Sequence, residues 1–299
     1  MTPKVAVILV NWRGAADTCR CLASIAKLNG QKPLTIVVEN GSADDSAILL
    51  QQAADWDVLI ISPVTLGFGG GCNLGINYAR TAGTEFIWLL NNDAQPEPDA
   101  LNALLETLQN NVQVAAAGSI MHENAGPGLE HGYNGGVVNF ITGQVRRSRN
   151  FAEMQFLSGA SLLLRRAALD ATGDFNTKYF LYWEDADLCF RLRRAGWLLA
   201  VAPGSHVRHA VSASAAKSGR NIIRYFNDSA IRFHQTYAPV PLLPISLNFL
   251  YRFLGQLKAG AFANAWTLLR ITLRMDRVQI PQQPKNLQIL TPKSSSTKN

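Results

Sequence analysis

The stretch Glu85-Phe-Ile-Trp-Leu-Leu-Asn-Asn-Asp93 decides how the rest of the chain is interpreted. Its apolar run at 86–90 predicts a buried strand. The strand ends at Asn91-Asn92-Asp93, and Pro96 and Pro98 prevent it from continuing. A carboxylate therefore stands at the carboxyl end of a buried strand, where open α/β sheets bind ligands. An oxygen fixed there suits a hard cation that bridges to a diphosphate. An Asn/Asp-rich turn capped by Asp93 explains the same residues equally well.

Strands alternate with helices on both sides of this stretch. Apolar runs at 5–10, 34–39 and 58–61 predict three earlier strands, and helical spacing between them predicts covering helices. Further strands are expected at 114–118, 156–164 and 198–201, and a helix at 184–195. The fold class expected is α/β, with a mostly parallel central sheet and helices on both faces. Residues 67–71 are expected to form a glycine-rich loop, and residues 203–214 a loop carrying His206 and His209.

Composition and charge limit the function classes. The chain has 299 residues, 47% hydrophobic and 16% charged, which suits one large α/β domain with or without an appendage. Residues 1–240 contain 20 basic and 20 acidic residues, whereas residues 241–299 contain 8 basic and 1 acidic. A neutral main body argues against nucleic-acid binding. Four cysteines without paired metal spacing, and a first apolar run too short for a signal peptide, predict a reduced, cytoplasmic protein.

Polar residues end three of the expected strands on one edge of the sheet. They are Asn11, Glu39 with its neighbour Asn40, and Asp93, and together they predict a nucleotide cleft in which Glu39 accepts the N–H of a base. The glycines Gly67 and Gly69 do not complete a dinucleotide fingerprint, because Cys72 stands where the third glycine would fall. The segment is then a flexible backbone that approaches a ligand closely, or an ordinary tight turn.

A second acidic cluster lies at Tyr182-Trp-Glu184-Asp185-Ala-Asp187. Acids in the first turn of a helix are favoured by its dipole, which is sufficient reason for their presence. A carboxylate there also suits a general base acting on a hydroxyl. His209 becomes a metal ligand or phosphate contact only if it faces Asp93.

Several motifs follow one another in a familiar order. They are Val-Val-Glu-Asn-Gly-Ser-Ala-Asp44, Leu-Gly-Phe-Gly-Gly-Gly-Cys-Asn-Leu-Gly-Ile76, Leu-Leu-Asn-Asn-Asp93, Phe-Leu-Ser-Gly-Ala-Ser-Leu-Leu-Leu-Arg-Arg166 and Phe-Leu-Tyr-Trp-Glu-Asp-Ala-Asp-Leu-Cys-Phe-Arg-Leu192. Across residues 4–235 the chain resembles family 2 glycosyltransferases, and most of all their rhamnosyltransferase-like branch. Each motif is weak alone, and the ordered set is specific.

The resemblance implies a GT-A nucleotide-sugar-binding fold, a dTDP- or UDP-sugar donor, Mg or Mn, and an inverting displacement at the anomeric carbon. By resemblance, Asp93 is the last acid of the family's metal motif with His209 assisting it, and Asp185 is the catalytic base. Trp183 and Glu184 would lie on the acceptor side. The donor would be bound by Asn11, Glu39, Asn40, Gly67, Phe68, Gly69, Asn73, Asn91 and Asn92.

The activity expected is transfer of rhamnose or a related hexose to a glycan or lipid-linked acceptor in cell-surface polysaccharide synthesis. A nucleotidyltransferase is the first alternative, but it calls for a basic glycine-rich loop where this chain has Asn11-Trp-Arg-Gly-Ala. A non-catalytic nucleotide-sugar-binding domain is the second, and loss of Asp93 or Asp185 would mark it. Both acids are present.

The carboxyl-terminal part of the chain differs in character from the catalytic domain expected at residues 1–240. Residues 241–280 are apolar with interspersed Arg and Lys, and are expected to form basic amphipathic helices divided at Gly255 and Gly260. Such helices fit an anionic membrane surface, which would make the protein peripheral on the inner membrane face. Packing on the catalytic domain, or a homodimer contact, is the alternative. Residues 281–299 are expected to be disordered.

Overall fold

The centre of the fold is a parallel sheet made from the four apolar runs that open the chain. The computed structural model describes residues 4–53, 55–124, 130–209, 221–276 and 278–292. Its central strands lie in the order β3–β2–β1–β4, all parallel, and every residue of β4 is buried. Their bounds are β1 Val5–Asn11, β2 Leu34–Asn40, β3 Val58–Ser62 and β4 Phe86–Leu90. The expected α/β sheet with a parallel core is confirmed.

The sheet continues beyond β4 with mixed strand directions. The strands are β5 Ala94–Pro96, β6 Val114–Asn124, β7 Glu130–Tyr133, β8 Gly135–Val138, β9 Val145–Arg147, β10 Phe156–Leu157, β11 Ser161–Arg165, β12 Leu198–His209 and β13 Gln288–Leu290. β11 lies antiparallel between β4 and β6, β12 is parallel to β6, and β5 closes that edge antiparallel to β12. β8, β9 and β10 form a separate small sheet.

Helices cover both faces of the central sheet. They are α1 Ala15–Ile25, α2 Ser46–Gln52, α3 Gly67–Thr81, α4 Ala100–Gln109, α5 Arg166–Thr172, α6 Glu184–Arg194, α7 Asn221–Tyr237, α8 Leu242–Lys258 and α9 Phe262–Thr272. Along β1, Val5, Val7 and Leu9 face the layer of α1 and α4, whereas Ala6 and Ile8 face the layer of α3 and α6. This alternation follows from the two-residue period of a strand.

The glycine-rich segment is the first turns of α3, so the expectation of a loop at 67–71 is wrong. A Cβ added at Gly71 would lie 2.7 Å from Cγ1 of Val10, and one at Gly75 would lie 2.6 Å from Cγ2 of Ile8. The glycines therefore allow the helix to approach the sheet closely. Gly67 has a φ of +75°, and its missing side chain leaves room for the carbonyl of Phe180.

Other boundaries also differ from the sequence-based expectations. His206 and His209 lie on β12, because this strand continues past Pro203 along the edge of β6. The run at 156–164 is two strands, β10 and β11, separated at Ser158–Ala160. α8 passes through Gly255, and only Gly260, with a φ of +68°, interrupts the two carboxyl-terminal helices.

The expectation of disorder from residue 281 onward is wrong for β13. Gln288, Ile289 and Leu290 pair antiparallel with residues 59–61 of β3. The pairing satisfies the backbone groups of what would be an exposed sheet edge, and Leu290 packs against the core. Residues 293–299 lie outside the described part of the chain.

α7 carries a third apolar cluster that joins the carboxyl-terminal helices to α6. Phe233 and Tyr237 of α7 pack with Tyr179 and Trp183, and α9 packs on both α7 and α8. In the described residues, none of the helices combines the length and apolar character required to cross a bilayer.

The close contact at Gly67 can be tested by substitution. Gly67→Ala and Gly196→Ala both place a side chain on a left-handed residue, but only at Gly67 does the new Cβ meet backbone, whereas nothing lies within 4 Å at Gly196. We expect Gly67→Ala to lower the free energy of unfolding by roughly 1–3 kcal/mol more than Gly196→Ala. Denaturant unfolding measures both. Equal losses would show that the approach of Phe180 does not constrain α3.

Candidate functional site

The site is centred on Asp93, just beyond the end of β4. The Oδ1 atom of Asp93 lies 3.0 Å from Nε2 of His209, and the Nδ2 atom of Asn91 lies 3.1 Å from the same nitrogen. Pairing of β12 with β5 sets His209 opposite Ala94, which explains the contact. The structure therefore meets the condition set by the sequence, that His209 should face Asp93.

The Asp93–His209 pair is the part of the site that fits a divalent cation. Across the described ranges, no group of three or more His, Cys, Asp or Glu side chains is arranged to hold a metal ion. Mg²⁺ at phosphate-transfer sites keeps several waters and uses one or two protein ligands together with substrate phosphates. One carboxylate and one imidazole therefore fit a cation shared with a diphosphate, and do not fit a cage made only of protein ligands.

Asn11 and Asn92 form a buried hydrogen-bond network beneath this pair. Nδ2 of Asn92 donates to Oγ1 of Thr18 at 3.0 Å, and that hydroxyl donates to Oδ1 of Asn11 at 2.9 Å. Asn11 is fully buried, and Asn92 is buried as well. These hydrogen bonds tie β1, α1 and the end of β4 together, and the expected contacts of both residues with the donor stay predictions.

Glu39 holds the turn that follows β2. Its Oε1 accepts from the backbone N–H of Ser42 at 2.9 Å, and its Oε2 accepts from that of Gly41 at 3.2 Å. Ser42 in turn accepts a hydrogen bond at Oγ from the backbone N–H of Arg13 at 2.9 Å. The carboxylate is buried and holds its own turn, and each oxygen retains a further lone pair, so the expected contact of Glu39 with the base of the donor stays a prediction.

Asn40 and Asn73 use both ends of their amides to fix α3. Asn40 accepts from the backbone N–H of Leu66 at 3.0 Å and donates to the carbonyl of Gly67 at 2.9 Å. Asn73 makes the same pair of bonds to the backbone of Phe175, at 2.9 and 3.0 Å. Both side chains therefore fix the position of α3, and their expected contacts with the donor stay predictions.

Asp185 lies in the first turn of α6, between two backbone donors. Oδ2 accepts from the N–H of Gly159 at 3.1 Å, and Oδ1 accepts from that of Ala186 at 2.8 Å. Burial raises the pKa of Asp185, and these hydrogen bonds oppose the rise only in part. A Cβ at Gly159 would lie 3.3 Å from the ring of Phe68 and 3.5 Å from Cβ of Asp185, so the ring, the glycine and the carboxylate are neighbours.

Gly159 and Ala160 connect Asp185 to Asn91, which lies two residues before Asp93. The N–H of Gly159 binds Asp185, and the carbonyl of Ala160 accepts from the N–H of Asn91 at 2.9 Å. β11 begins at the next residue, with Ser161 opposite Leu90. Sequence reasoning missed this segment because it took 156–164 as one core strand; the glycine inside an apolar run was the available signal.

Glu184 is buried beside Asp185. Its Oε2 has no hydrogen-bond partner within the described part of the chain. Burial, followed by the charge of Asp185, raises the pKa of Glu184 well above its ordinary value. The carboxyl group is therefore driven toward its neutral form, which can donate a hydrogen bond.

Trp183 does not line an acceptor surface, and that expectation is wrong. Only 4% of the residue is exposed, and its ring centroid lies 4.7 Å from that of Phe233 and 5.9 Å from that of Phe226. The residue belongs to the aromatic core because α7 covers it. Trp183 and Tyr182 both have left-handed φ angles, 70° and 67°, so this core supports an unfavourable backbone turn directly before α6.

The fold is the one called GT-A, as two solved structures show. A solved structure titled GalNAc-T7 with UDP, GalNAc and Mn²⁺ matches with a TM-score of 0.62 and 13% identity over 80% of this chain, which spans 49% of that chain. The mannosyltransferase PcManGT from Pyrobaculum calidifontis, in complex with GDP-Man and Mn²⁺, matches with a TM-score of 0.57 and 18% identity, covering 92% of this chain and 76% of that one.

The family profile described as "Glycosyltransferase like family 2" matches residues 3–227, and the chain belongs to this family. The N-acetylglucosaminyl-diphospho-decaprenol L-rhamnosyltransferase of Mycobacterium tuberculosis is 29% identical over 236 residues, 70% of this chain and 76% of that protein. Rhamnosyltransferase WbbL of Escherichia coli is 25% identical over 184 residues, 55% of this chain and 69% of that protein. The expected resemblance is confirmed.

The buried carboxyl of Glu184 predicts a pH-dependent stability difference. The unfolded chain ionises this group near its ordinary pKa of 4.5, whereas the folded chain retains the proton to a higher pH. The contribution of Glu184 to stability therefore falls as pH rises above 4.5, until the folded pKa is passed. Glu184→Gln does not titrate, so we expect its Tm advantage to widen from acid to neutral pH.

Thermal unfolding between pH 4 and pH 8 measures this effect, with Glu106→Gln as a control. Glu106 is exposed on α4, so its variant measures the effect of removing a carboxylate from the surface. A Tm difference for Glu184→Gln that does not change with pH would mean that Glu184 ionises freely in the fold.

Proposed function

We propose that this glycosyltransferase transfers rhamnose, with inversion, from a dTDP-sugar to a lipid-linked glycan acceptor. The observation that carries the proposal is the Gly159–Ala160 segment, which binds Asp185 through an N–H group and binds Asn91, two residues before Asp93, through a carbonyl. A diphosphate needs charge neutralisation on one side of the reacting sugar, and the acceptor needs a base on the other. The names of two relatives, both rhamnosyltransferases, support the choice of sugar.

Asp93 and His209 are the residues that would hold Mg or Mn. When bound, such a cation neutralises negative charge on the leaving diphosphate. Both structural neighbours described above contain Mn²⁺ with a nucleotide or nucleotide-sugar, which supports a cation at this edge of the fold.

Asp185 is the proposed general base. Each of its carboxylate oxygens accepts one backbone hydrogen bond and retains a further lone pair. The acceptor hydroxyl transfers its proton to Asp185 as its oxygen forms a bond to the anomeric carbon. The bond from that carbon to the diphosphate oxygen breaks at the same time, and its electron pair leaves with the diphosphate. A single displacement of this kind inverts the anomeric configuration.

Phe68 replaces Trp183 as the aromatic surface proposed for a sugar. Its ring is half-buried and lies beside Gly159 and Asp185. The turn after Glu39 and the first turn of α3 at Gly67–Gly69 are proposed to shape the nucleotide side of the cleft, because the side chains of Glu39 and Asn40 hold the backbone there.

The acceptor and the place of action are proposed from the relatives. The mycobacterial relative is named for an N-acetylglucosaminyl-diphospho-decaprenol substrate. An acceptor of this class, a sugar diphosphate on a polyprenyl chain, would bring the enzyme to the cytoplasmic face of the inner membrane. The nucleotidyltransferase alternative predicts nucleotide incorporation instead of release of dTDP, so the product distinguishes the two.

Asp93→Ala tests the metal role. With Mn²⁺ present, we expect dTDP-rhamnose to raise the Tm of the natural protein more than UDP-sugars do, and we expect the variant to lose this shift. Glu97→Ala is the control, since its half-exposed side chain lies just beyond the other end of β5 and makes only a 3.9 Å contact to Arg208. Unchanged donor affinity in Asp93→Ala, with and without metal, would remove Asp93 from the metal site.

Asp185→Asn tests the general base. We expect kcat for rhamnose transfer to fall by roughly two to four decades while dTDP-rhamnose affinity stays near normal, because a positioned base acts on the chemical step. Glu184→Gln should cause a smaller loss. If the two variants exchange these phenotypes in steady-state assays, Glu184 is the base and Asp185 is its neighbour.

A further inference from the structure

The helices α8 and α9 each expose apolar side chains on the side away from the rest of the protein. On α8, Leu243, Leu247, Leu250, Leu254 and Leu257 follow one another at spacings of four and three residues, which places them on one helix face. Each of the five is 36% to 50% exposed. On α9, Phe262 and Trp266 are 69% and 58% exposed, one turn apart. We call these seven residues the apolar face.

The apolar face is not the side by which these helices attach to the catalytic domain. On α8, Asn248 is buried and donates from Nδ2 to the carbonyl of Gly143 at 2.6 Å, and the guanidinium of Arg252 lies 4.5 Å from the ring centroid of Phe226. On α9, Ala265, Leu268 and Ile271 are buried. Each helix therefore already has an inner side, and the apolar face is a second, outer side.

The charges on α8 and α9 indicate which kind of partner the outer side would bind. Residues 241–276 contain four basic residues and one acid, Asp276, which pairs with Arg224 at 2.6 Å. Lys258, Arg270 and Arg274 are exposed. A second copy of the chain would bring cations against cations, with no exposed acid on either helix to pair them. An anionic surface complements the same charges.

We propose that the apolar face docks the protein on an anionic phospholipid bilayer, with α8 and α9 lying in the plane of the interface. The helices contain 17 and 11 residues, and a strongly amphipathic, basic pair of this kind binds by inserting its apolar side among the headgroups. The exposed Trp266 and Tyr251 have the amphipathic rings that favour this depth. Docking would place a lipid-linked acceptor near the enzyme, but it does not depend on that activity.

Co-sedimentation of the full chain with vesicles tests the proposal, without donor or acceptor. We expect binding to vesicles containing phosphatidylglycerol, weaker binding at high salt, and little binding to vesicles of phosphatidylcholine alone. Leu250→Glu/Leu254→Glu should weaken binding by roughly tenfold or more, because two apolar contacts are replaced by charges facing anionic lipid. The matched control is Ile48→Glu/Leu49→Glu, which changes two exposed apolar residues of α2 and should leave binding unchanged.

A second variant keeps the test decisive if the first one unfolds. Arg270→Glu/Arg274→Glu leaves the apolar face intact and should abolish the preference for anionic vesicles. Equal binding by all variants, or no binding by the natural chain, would overturn the proposal. Vesicle-independent dimers that Leu250→Glu/Leu254→Glu dissociates, seen by sedimentation velocity, would assign the face to a second copy. If the natural chain binds anionic vesicles but transfers no rhamnose, the docking proposal is supported and only the proposed activity is rejected.

Discussion

The peptide backbone at Gly159–Ala160 is the constraint on which the site depends. The N–H group of Gly159 binds Asp185 and the carbonyl of Ala160 binds the backbone of Asn91, so a two-residue segment links Asp185 to the stretch of chain that leads to Asp93. A backbone segment is well suited to this link, because β11 anchors it beside the buried strand β4. A change of side-chain rotamer does not alter the length of such a segment. Gly159 also has the ring of Phe68 against it, which leaves little room for a side chain.

The buried surroundings of the two acids at the start of α6, Glu184 and Asp185, disfavour their charged forms. Burial raises the pKa of both Glu184 and Asp185, and the charge of Asp185 raises that of Glu184 further. Asp185 is compensated by two backbone N–H groups at the positive end of a helix, whereas Glu184 has an unpartnered oxygen among the described residues. Adjacent carboxyls in such different environments favour one anion and one neutral acid, an arrangement typical of catalytic sites.

The sequence was sufficient for the central strands and for the edge at which the site lies, because buried parallel strands are continuous apolar runs and their ends are polar. It could not show which polar side chains face the cleft. Asn11, Asn40, Asn73 and Asn92 have the residue type of ligand contacts, and each also hydrogen-bonds to protein groups from other parts of the chain, which no local pattern shows. The burial of Trp183 depends on α7, which lies about 50 residues later in the chain. The sequence around Trp183 therefore could not predict it.

That aromatic contact also gives α7 a part in the geometry of the site. Tyr182 and Trp183 occupy left-handed backbone conformations that residues of their size rarely adopt, and they immediately precede Glu184 and Asp185. Such a turn persists only when surrounding packing determines it, and the packing here comes from Phe226 and Phe233 of α7. Phe226 contacts Arg252 of α8 on its other side. A continuous series of contacts therefore runs from the helices with the exposed apolar face to the turn that sets the direction of Asp185.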